Sequence, residues 1–378
     1  MTAGWAAELA AGGDADLVAR IVRLAASGWV TPERLRRAVV PLLVEADVKA
    51  EAVVAGVEAQ ADVQHRLADP ATTERTARAL LSHGAVVRVA AHPGYPPRLE
   101  DAWPELGAPL WLFVRASEGV LPDAPAAAVV GTRQPTLDGA RTAREIGALL
   151  ARHRVTVVSG MARGIDQAAH MGAVETGGSS VGVLGTGFGV DYPRHDGGVR
   201  DAVAASGALV TEFAPDTPPH KPGFLWRNRI ISALADVTVV VEGKARSGAL
   251  HTARMAAAQG RDVMAVPGPV RAATSRAPLD LIRDGAQPLT RLEDLLDVLR
   301  VDPVEEVAVP APRVPANLGP VATSVLPLLG AVPAAPAALA AATRAPVGAV
   351  MAAVAELTRQ GLAAATPRGV VRVNAGGR

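Results

Sequence analysis

Basic side chains gather beside glycine-bearing loops in the middle of this chain. Arg133, Arg163, Lys221, Arg227, Arg229, Lys244 and Arg246 stand in or near such loops, and Arg261 opens the last apolar run of the series. The loops are Gly131-Thr132-Arg133, Ser159-Gly160-Met161-Ala162-Arg163-Gly164-Ile165-Asp166, Gly185-Thr186-Gly187 and Glu242-Gly243-Lys244-Ala245-Arg246-Ser247-Gly248. Each follows a short apolar run. Main-chain N–H groups at strand-to-helix turns, with the helix dipoles behind them, make an anion site. Converging on one rim, the basic side chains would track successive phosphates, the chemistry of a single-strand nucleic-acid binder. Phe224 and Trp226 flank the basic stretch and are the candidates for stacking on a base, with core packing equally open to Trp226. Aromatic residues make up only 3% of the chain, so stacking on many bases is not the main source of affinity.

Other chemistries find less support. Gly185-Thr186-Gly187-Phe188-Gly189 lacks the third glycine spacing of a dinucleotide fingerprint, and no Gly-Lys-Ser/Thr loop is present, so neither NAD nor P-loop ATP chemistry is expected. The loops contain no Ser-His-Asp order, metal-ligand cluster or isolated carboxylate pair, and the reading is of a non-enzyme without metal or cofactor. Asp166 and His170, four residues apart on one helix face, could share a local hydrogen bond, a structural role more than a catalytic one. The absence of cysteine removes disulfides, thiolate ligands and thiol nucleophiles. A formal net charge of +1 means that any polyanion must be held by local clusters.

The elements that would position these loops alternate. Apolar runs without polar alternation, at 127–131, 155–159, 180–184, 208–211, 237–241 and 262–266, read as strands buried on both faces. Helical patterns lie between them at 137–152, 164–176, 195–206, 226–235 and 248–259. That spacing implies right-handed βαβ units and an α/β fold, a Rossmann-like, doubly wound, mostly parallel sheet that begins with strands at 85–90 and 109–115. Ligands on such sheets bind at the carboxyl ends of the strands, where the glycine loops fall.

With 378 residues, 49% hydrophobic and 20% charged, the chain has room for two or three folded domains. Residues 1–82 read as a small helical domain, with helices at 16–26, 31–43, 47–67 and 72–82. Thr31 would cap the second of these, and Arg34, Arg36 and Arg37 would form a basic cluster on it that could touch a nucleic-acid backbone, a solvated face being the better reading. The sheet domain occupies 83–300. A linker follows at 301–317, where Pro303, Pro310, Pro312 and Pro315 favour extended chain. Residues 318–378 suggest a winged helix, with helices at 321–330, 336–344 and 347–360 and a hairpin of 362–365 with 369–373. The first residues are too acidic for a signal peptide, and no apolar run reaches the about 18 residues of a membrane span, so a cytoplasmic protein without membrane contact is expected.

In this order the loops resemble the DprA/Smf family of DNA-processing proteins. The similarity rests on Tyr95-Pro96, Val130-Gly131-Thr132-Arg133, Ser159-Gly160 through Gly164-Ile165-Asp166, Ala169-His170, Gly185-Thr186-Gly187, Tyr192-Pro193 and Glu212. It continues through Arg227-Asn228-Arg229-Ile230-Ile231, Glu242, Ser247-Gly248, Thr252-Ala253 and Val266-Pro267-Gly268. The resemblance implies an extended Rossmann fold that binds single-stranded DNA, forms homodimers, and loads the RecA recombinase on incoming strands in natural transformation, with single-strand-binding protein as a further partner. It places DNA contacts on Arg133, Lys221, Phe224, Arg227, Asn228, Arg229 and Arg261. Phosphate-holding loops would use Gly131, Ser159, Gly160, Arg163, Gly185, Ser247, Gly248 and Thr252.

Two features depart from the family pattern. Residues 277–282 read Ala-Pro-Leu-Asp-Leu-Ile where the family has Gly-x-Asn-x-Leu-Ile, so DNA contacts from that loop are not expected. The third helix of the C-terminal segment carries Arg359 as its only basic residue, which suits protein contacts or dimer support better than groove reading, with Arg368 and Arg372 left to touch phosphate. The competing function is a related Rossmann enzyme that cleaves nucleoside monophosphates. Its catalytic glutamate would fall on Met255, whose thioether cannot do acid–base work, leaving Glu212 or Glu242 to substitute.

Overall fold

Runs of valine and alanine with no polar alternation form the centre of a nine-stranded sheet in the computed structural model. The structure describes residues 4–28, 50–102, 108–116, 121, 125–194, 198–302, 318–330, 333–366 and 369–372. Five strands, β3 (Ala126–Val130), β4 (Thr156–Ser159), β5 (Ser180–Val183), β6 (Ala208–Thr211) and β7 (Val237–Val240), are buried at every residue. This is the burial expected where helices cover both faces of a parallel sheet. β8 (Asp262–Ala265) and β9 (Gln287–Pro288) complete one side, while β1 (Ala85–Val89) and β2 (Trp111–Ala116) extend the other.

The strand order is β1-β2-β6-β5-β4-β3-β7-β8-β9, parallel from β6 to β9 and antiparallel at the β1 and β2 end. The chain winds outward from β3 to β6, then restarts on the opposite side of β3 with β7. The carboxyl ends of β3 and β7 therefore flank the switch point of this doubly wound sheet.

The helices come in chain order. The first five are α1 (Gly4–Ala10), α2 (Ala15–Ala26), α3 (Ala50–Glu58), α4 (Ala61–Gln64) and α5 (Pro70–Ser82). Over the sheet lie α6 (Pro97–Asp101), α7 (Leu137–Arg152), α8 (Ile165–Glu175), α9 (Val199–Ser206), α10 (Lys221–Ala233), α11 (Gly248–Ala258), α12 (Arg276–Arg283) and α13 (Asp294–Leu299). The last three are α14 (Pro320–Val325), α15 (Pro336–Thr343) and α16 (Val347–Arg359), followed by the antiparallel hairpin of β10 (Ala363–Thr366) and β11 (Gly369–Arg372).

Most differences from the sequence reading have local causes. The helix expected over 47–67 is split, because Gln60 is extended at ψ 127° between α3 and α4. α5 starts at Pro70, two residues before the expected 72, because Asp69 caps it, its carboxylate accepting from the Thr72 N–H at 2.8 Å. α10 starts at Lys221, five residues before the expected Trp226, because Pro222 fits a first helical turn. The stretch at 277–282, read as a loop, is part of α12, and β9 and α13 were not anticipated. The expected helix at 31–43 with Arg34, Arg36 and Arg37, the start of the 195–206 helix, the proline-rich stretch at 303–317, and Arg368 lie outside the described residues.

Alternate residues of β3 serve the two faces: Ala128 and Val130 join one buried cluster, Ala127 and Val129 the other. The first cluster runs from Leu9, Ile21 and Leu80 on the N-terminal helices through Trp111 and Phe113 to Val210 and Ile230. Those helices therefore share the core of the sheet. A separate cluster holds the last three helices and hairpin, through Val325, Leu339, Val350, Leu357 and Val370, and Leu137 at the start of α7 packs against it. Among the described residues no single helix is long and apolar enough to cross a membrane.

Candidate nucleic-acid interface

Parallel strands deliver their following loops to one end of the sheet, and the glycine loops meet there. The Thr132 N–H donates to the Glu242 carbonyl at 2.8 Å, and the Ile165 N–H donates to the Thr132 carbonyl at 3.2 Å, so the loops after β3, β4 and β7 are laced laterally. Gly185, after β5, is where Phe224 of α10 comes closest. A Cβ there would lie 2.6 Å from the ring, so glycine is what lets the aromatic seat against the strand end.

The rim has an exposed layer and a buried one. Arg133, Lys221, Lys244, Arg246 and Gly248 are exposed, and Arg163 is half-exposed with its guanidinium donating to the Arg194 carbonyl at 2.9 Å. Phe224 is half-buried. Its ring centroid lies 5.4 Å from the Arg133 guanidinium carbon, 6.0 Å from that of Arg227 and 5.0 Å from the Tyr192 ring. Lys221 precedes Phe224 by one helical turn.

Three residues assigned to DNA contact turn inward. Arg227 is buried and donates to the carbonyls of Gly160 and Val183, tying the ends of β4 and β5 together. Burial pulls its pKa down to about 10, with the nearby Asp166 acting in the opposite sense. Arg229 grips Glu212 through two hydrogen bonds of 2.8 and 2.7 Å, both side chains buried, and its guanidinium carbon lies 5.7 Å from the centre of the Trp226 ring. Asn228 donates to the Gly248 carbonyl at 3.3 Å, joining α10 to the first turn of α11. Charge-assisted pairs of this kind fix geometry at the cost of the charge being available outside.

Arg261 is placed differently from the expectation. It precedes β8, and Asp262 pairs with Val237 at the start of β7, so Arg261 stands at the amino ends of the strands, across the sheet from the glycine rim. Its guanidinium donates to the Arg98 carbonyl at 3.0 Å. The convergence expected of it ignored strand direction.

Among the loop residues, the Ser159 hydroxyl donates to the Val129 carbonyl at 2.6 Å and the Thr252 hydroxyl to the Gly248 carbonyl at 3.3 Å, both inside the protein. Gly131, Gly160 and Gly185 contribute backbone alone. Ser247 starts α11 without a side-chain cap, and its Oγ is buried and has no hydrogen-bond partner among the described residues.

Asp166 and His170 do not bond each other. Asp166 accepts from the N–H groups of Gly160 at 3.1 Å and Ala162 at 3.3 Å, folding the loop after β4 into shape. Burial raises its pKa, opposed by Arg227 and by those two bonds. His170 Nδ1 lies 2.7 Å from the Ser180 hydroxyl, and burial, aided by Arg227, holds its pKa at about 3, so the ring is neutral. The loop needs the aspartate more than the histidine does. Tyr192 was legible in the sequence only as part of a Tyr-Pro pair; its contact with Phe224 needed the fold.

A doubly wound α/β sheet with a basic, aromatic rim at its strand ends defines a Rossmann-like protein. Residues 86–300 match the family described as DNA recombination-mediator protein A, and the chain belongs to that family. It is 40% identical over 188 residues to the putative DNA processing protein DprA of Mycobacterium tuberculosis, covering 50% of this chain and 48% of that protein. The chain thus spans about half the length of that relative. It is similar to the X-ray structure of DNA processing protein A (DprA) from Streptococcus pneumoniae, with TM-score 0.58, 30% identity, and coverage of 76% of this chain and 98% of that one. The fold also matches DNA processing protein A from Helicobacter pylori, described for its single-stranded DNA binding mode, with TM-score 0.50, 24% identity, and coverage of 55% and 93%.

Proposed function

We propose that this chain is a recombination mediator that binds single-stranded DNA on the glycine rim, protects incoming strands, and loads RecA on them in transformation or related DNA processing. The observation that carries the reading is the juxtaposition of exposed Arg133 with half-buried Phe224, one turn from exposed Lys221. Cation, ring and loop amides offer a nucleotide its phosphate contact and its stacking surface together. The single-stranded DNA binding named for the Helicobacter pylori relative points the same way.

In this reading Arg133, Lys221, Lys244 and Arg246 meet phosphates, with main-chain N–H groups of the loops at Gly131 and Gly248 beside them, while the Gly160 amide is taken by Asp166. Arg227, Asn228 and Arg229 act from beneath, by holding the strand ends and helices that present those groups. The protein works in the cytoplasm as a homodimer, with RecA and single-strand-binding protein as partners. The N-terminal helices, the sheet domain and a C-terminal winged helix are its three parts, the last serving protein contacts.

The nucleotide-cleaving alternative is disfavoured by the carboxylates themselves. Glu212 is held in the bidentate pair with Arg229, and Glu242 accepts from the Thr136 N–H at 3.0 Å and hydroxyl at 2.6 Å. Neither is poised over the rim as an acid or base. The test is an anisotropy titration of labelled single-stranded DNA with duplex competitor at several salt concentrations. Preference for single strands, with a log–log salt slope near −0.7 per phosphate contacted, supports the reading; absence of binding, or release of free base from a nucleotide, overturns it.

A further inference from the structure

The chain contains four phenylalanines and two tyrosines. Phe113, Phe188, Phe213 and Tyr95 are buried, and the Tyr95 hydroxyl is spent on the Pro109 carbonyl. The two that reach solvent, Phe224 and Tyr192, come from different elements, α10 and the loop that follows Gly185-Thr186-Gly187, yet their rings lie 5.0 Å apart at an interplanar angle of 34°. Rings are normally drawn inside by the area that they bury. A pair left half-exposed and packed on each other, with a guanidinium 5.4 Å from one of them, is a surface whose chemistry suits a flat, anionic, aromatic ligand.

We propose that Tyr192 is a second stacking residue of the rim, packed on Phe224 and offering its outer face to a nucleobase while Arg133 takes the adjoining phosphate. The proposal rests on the single-stranded DNA reading above and goes beyond it by naming Tyr192 and its role. Every base has a π-face, so this stack discriminates bases from their absence more than one base from another.

The test compares two oligonucleotides of equal length on the full chain, an oligothymidylate and one carrying abasic residues on the same phosphate backbone, by anisotropy with a salt series. The wild type is expected to prefer the thymidylate on the order of tenfold, the size of one stacked base. Tyr192→Ala should lose most of that preference, with unchanged affinity for the abasic strand and an unchanged salt slope, and Tyr192→Phe should keep it. If Tyr192→Ala fails to melt cooperatively, Tyr192→Leu, which keeps bulk against Phe224 without a π-face, is read in its place. A variant lacking the ring that keeps the thymidylate preference overturns the role of Tyr192 and leaves the rim reading standing. A wild type that binds neither strand overturns the rim reading itself.

Discussion

Glu242, at the carboxyl end of β7, holds the N-cap residue of the helix that begins after β3: one carboxylate oxygen accepts from the Thr136 hydroxyl at 2.6 Å and the other from its main-chain N–H at 3.0 Å. The Thr136 hydroxyl in turn accepts from the Gly139 N–H at 3.0 Å, and a Cβ at Gly139 would lie 2.5 Å from the Glu242 carboxyl carbon. The switch-point crevice, where related sheets seat a ligand phosphate at a helix N-terminus, is thus filled by an anion of the chain's own. Glu242→Ala should cost about 1.5–3 kcal/mol of stability, the range for hydrogen bonds to a charged group. It should also weaken single-stranded DNA binding by loosening the loop that carries Arg133. Thermal melts and the anisotropy titration check the two effects separately.

The exposed and buried arginines should respond in opposite ways. Arg133→Ala is expected to leave stability within about 0.5 kcal/mol of wild type, as for other surface changes, while lowering DNA affinity and reducing the salt slope by about 0.7. Arg229→Ala leaves the Glu212 carboxylate buried without its partner, a loss of about 3–5 kcal/mol. Denaturant melts beside DNA titrations distinguish a contact from a strut.

Arg261 offers a control within the same fold. Because it lies at the amino ends of the strands, Arg261→Ala should keep wild-type affinity and salt slope for single-stranded DNA. A loss matching that of Arg133→Ala would show that DNA crosses the opposite end of the sheet.

His170 sets a pH dependence. Its pKa is about 3 in the folded chain against 6.5 for the free side chain. Below pH 6.5 the unfolded chain takes up a proton that the folded chain refuses. The contribution of neutral His170 is therefore whole above that pH and is lost progressively as pH falls toward 3, at a limiting slope of about 1.4 kcal/mol per unit. His170→Gln should flatten the stability profile between pH 6.5 and 4 in denaturant melts.

The parallel sheet is legible because β3 to β7 are continuous apolar runs, all but β6 ending in a glycine-bearing loop. Leu137–Arg152 came out as expected, since Thr136 caps it and an apolar stripe runs its length. What local pattern could not carry was direction and depth. Arg227 and Arg229 look as available in the sequence as Arg133 does, and only the packing of α10 on the strand ends turns them inward against Gly160, Val183 and Glu212. Arg261 precedes its strand where the other candidates follow theirs, a distinction the sequence contains but that matters only once all strands run the same way. Tyr192 and Phe224 are thirty-two residues apart, and nothing short of the tertiary fold brings their rings together.

The sheet stops at β9 with two exposed residues, Gln287 and Pro288. A proline has no N–H to offer a tenth strand, and a two-residue ladder gives an incoming chain almost nothing to register against. Growth of the sheet by strand addition is closed at this border. Any protein that meets this end must be recognised by the shape and charge of its side chains, which lets the border face a crowded, partly unfolded cellular milieu without templating aggregation.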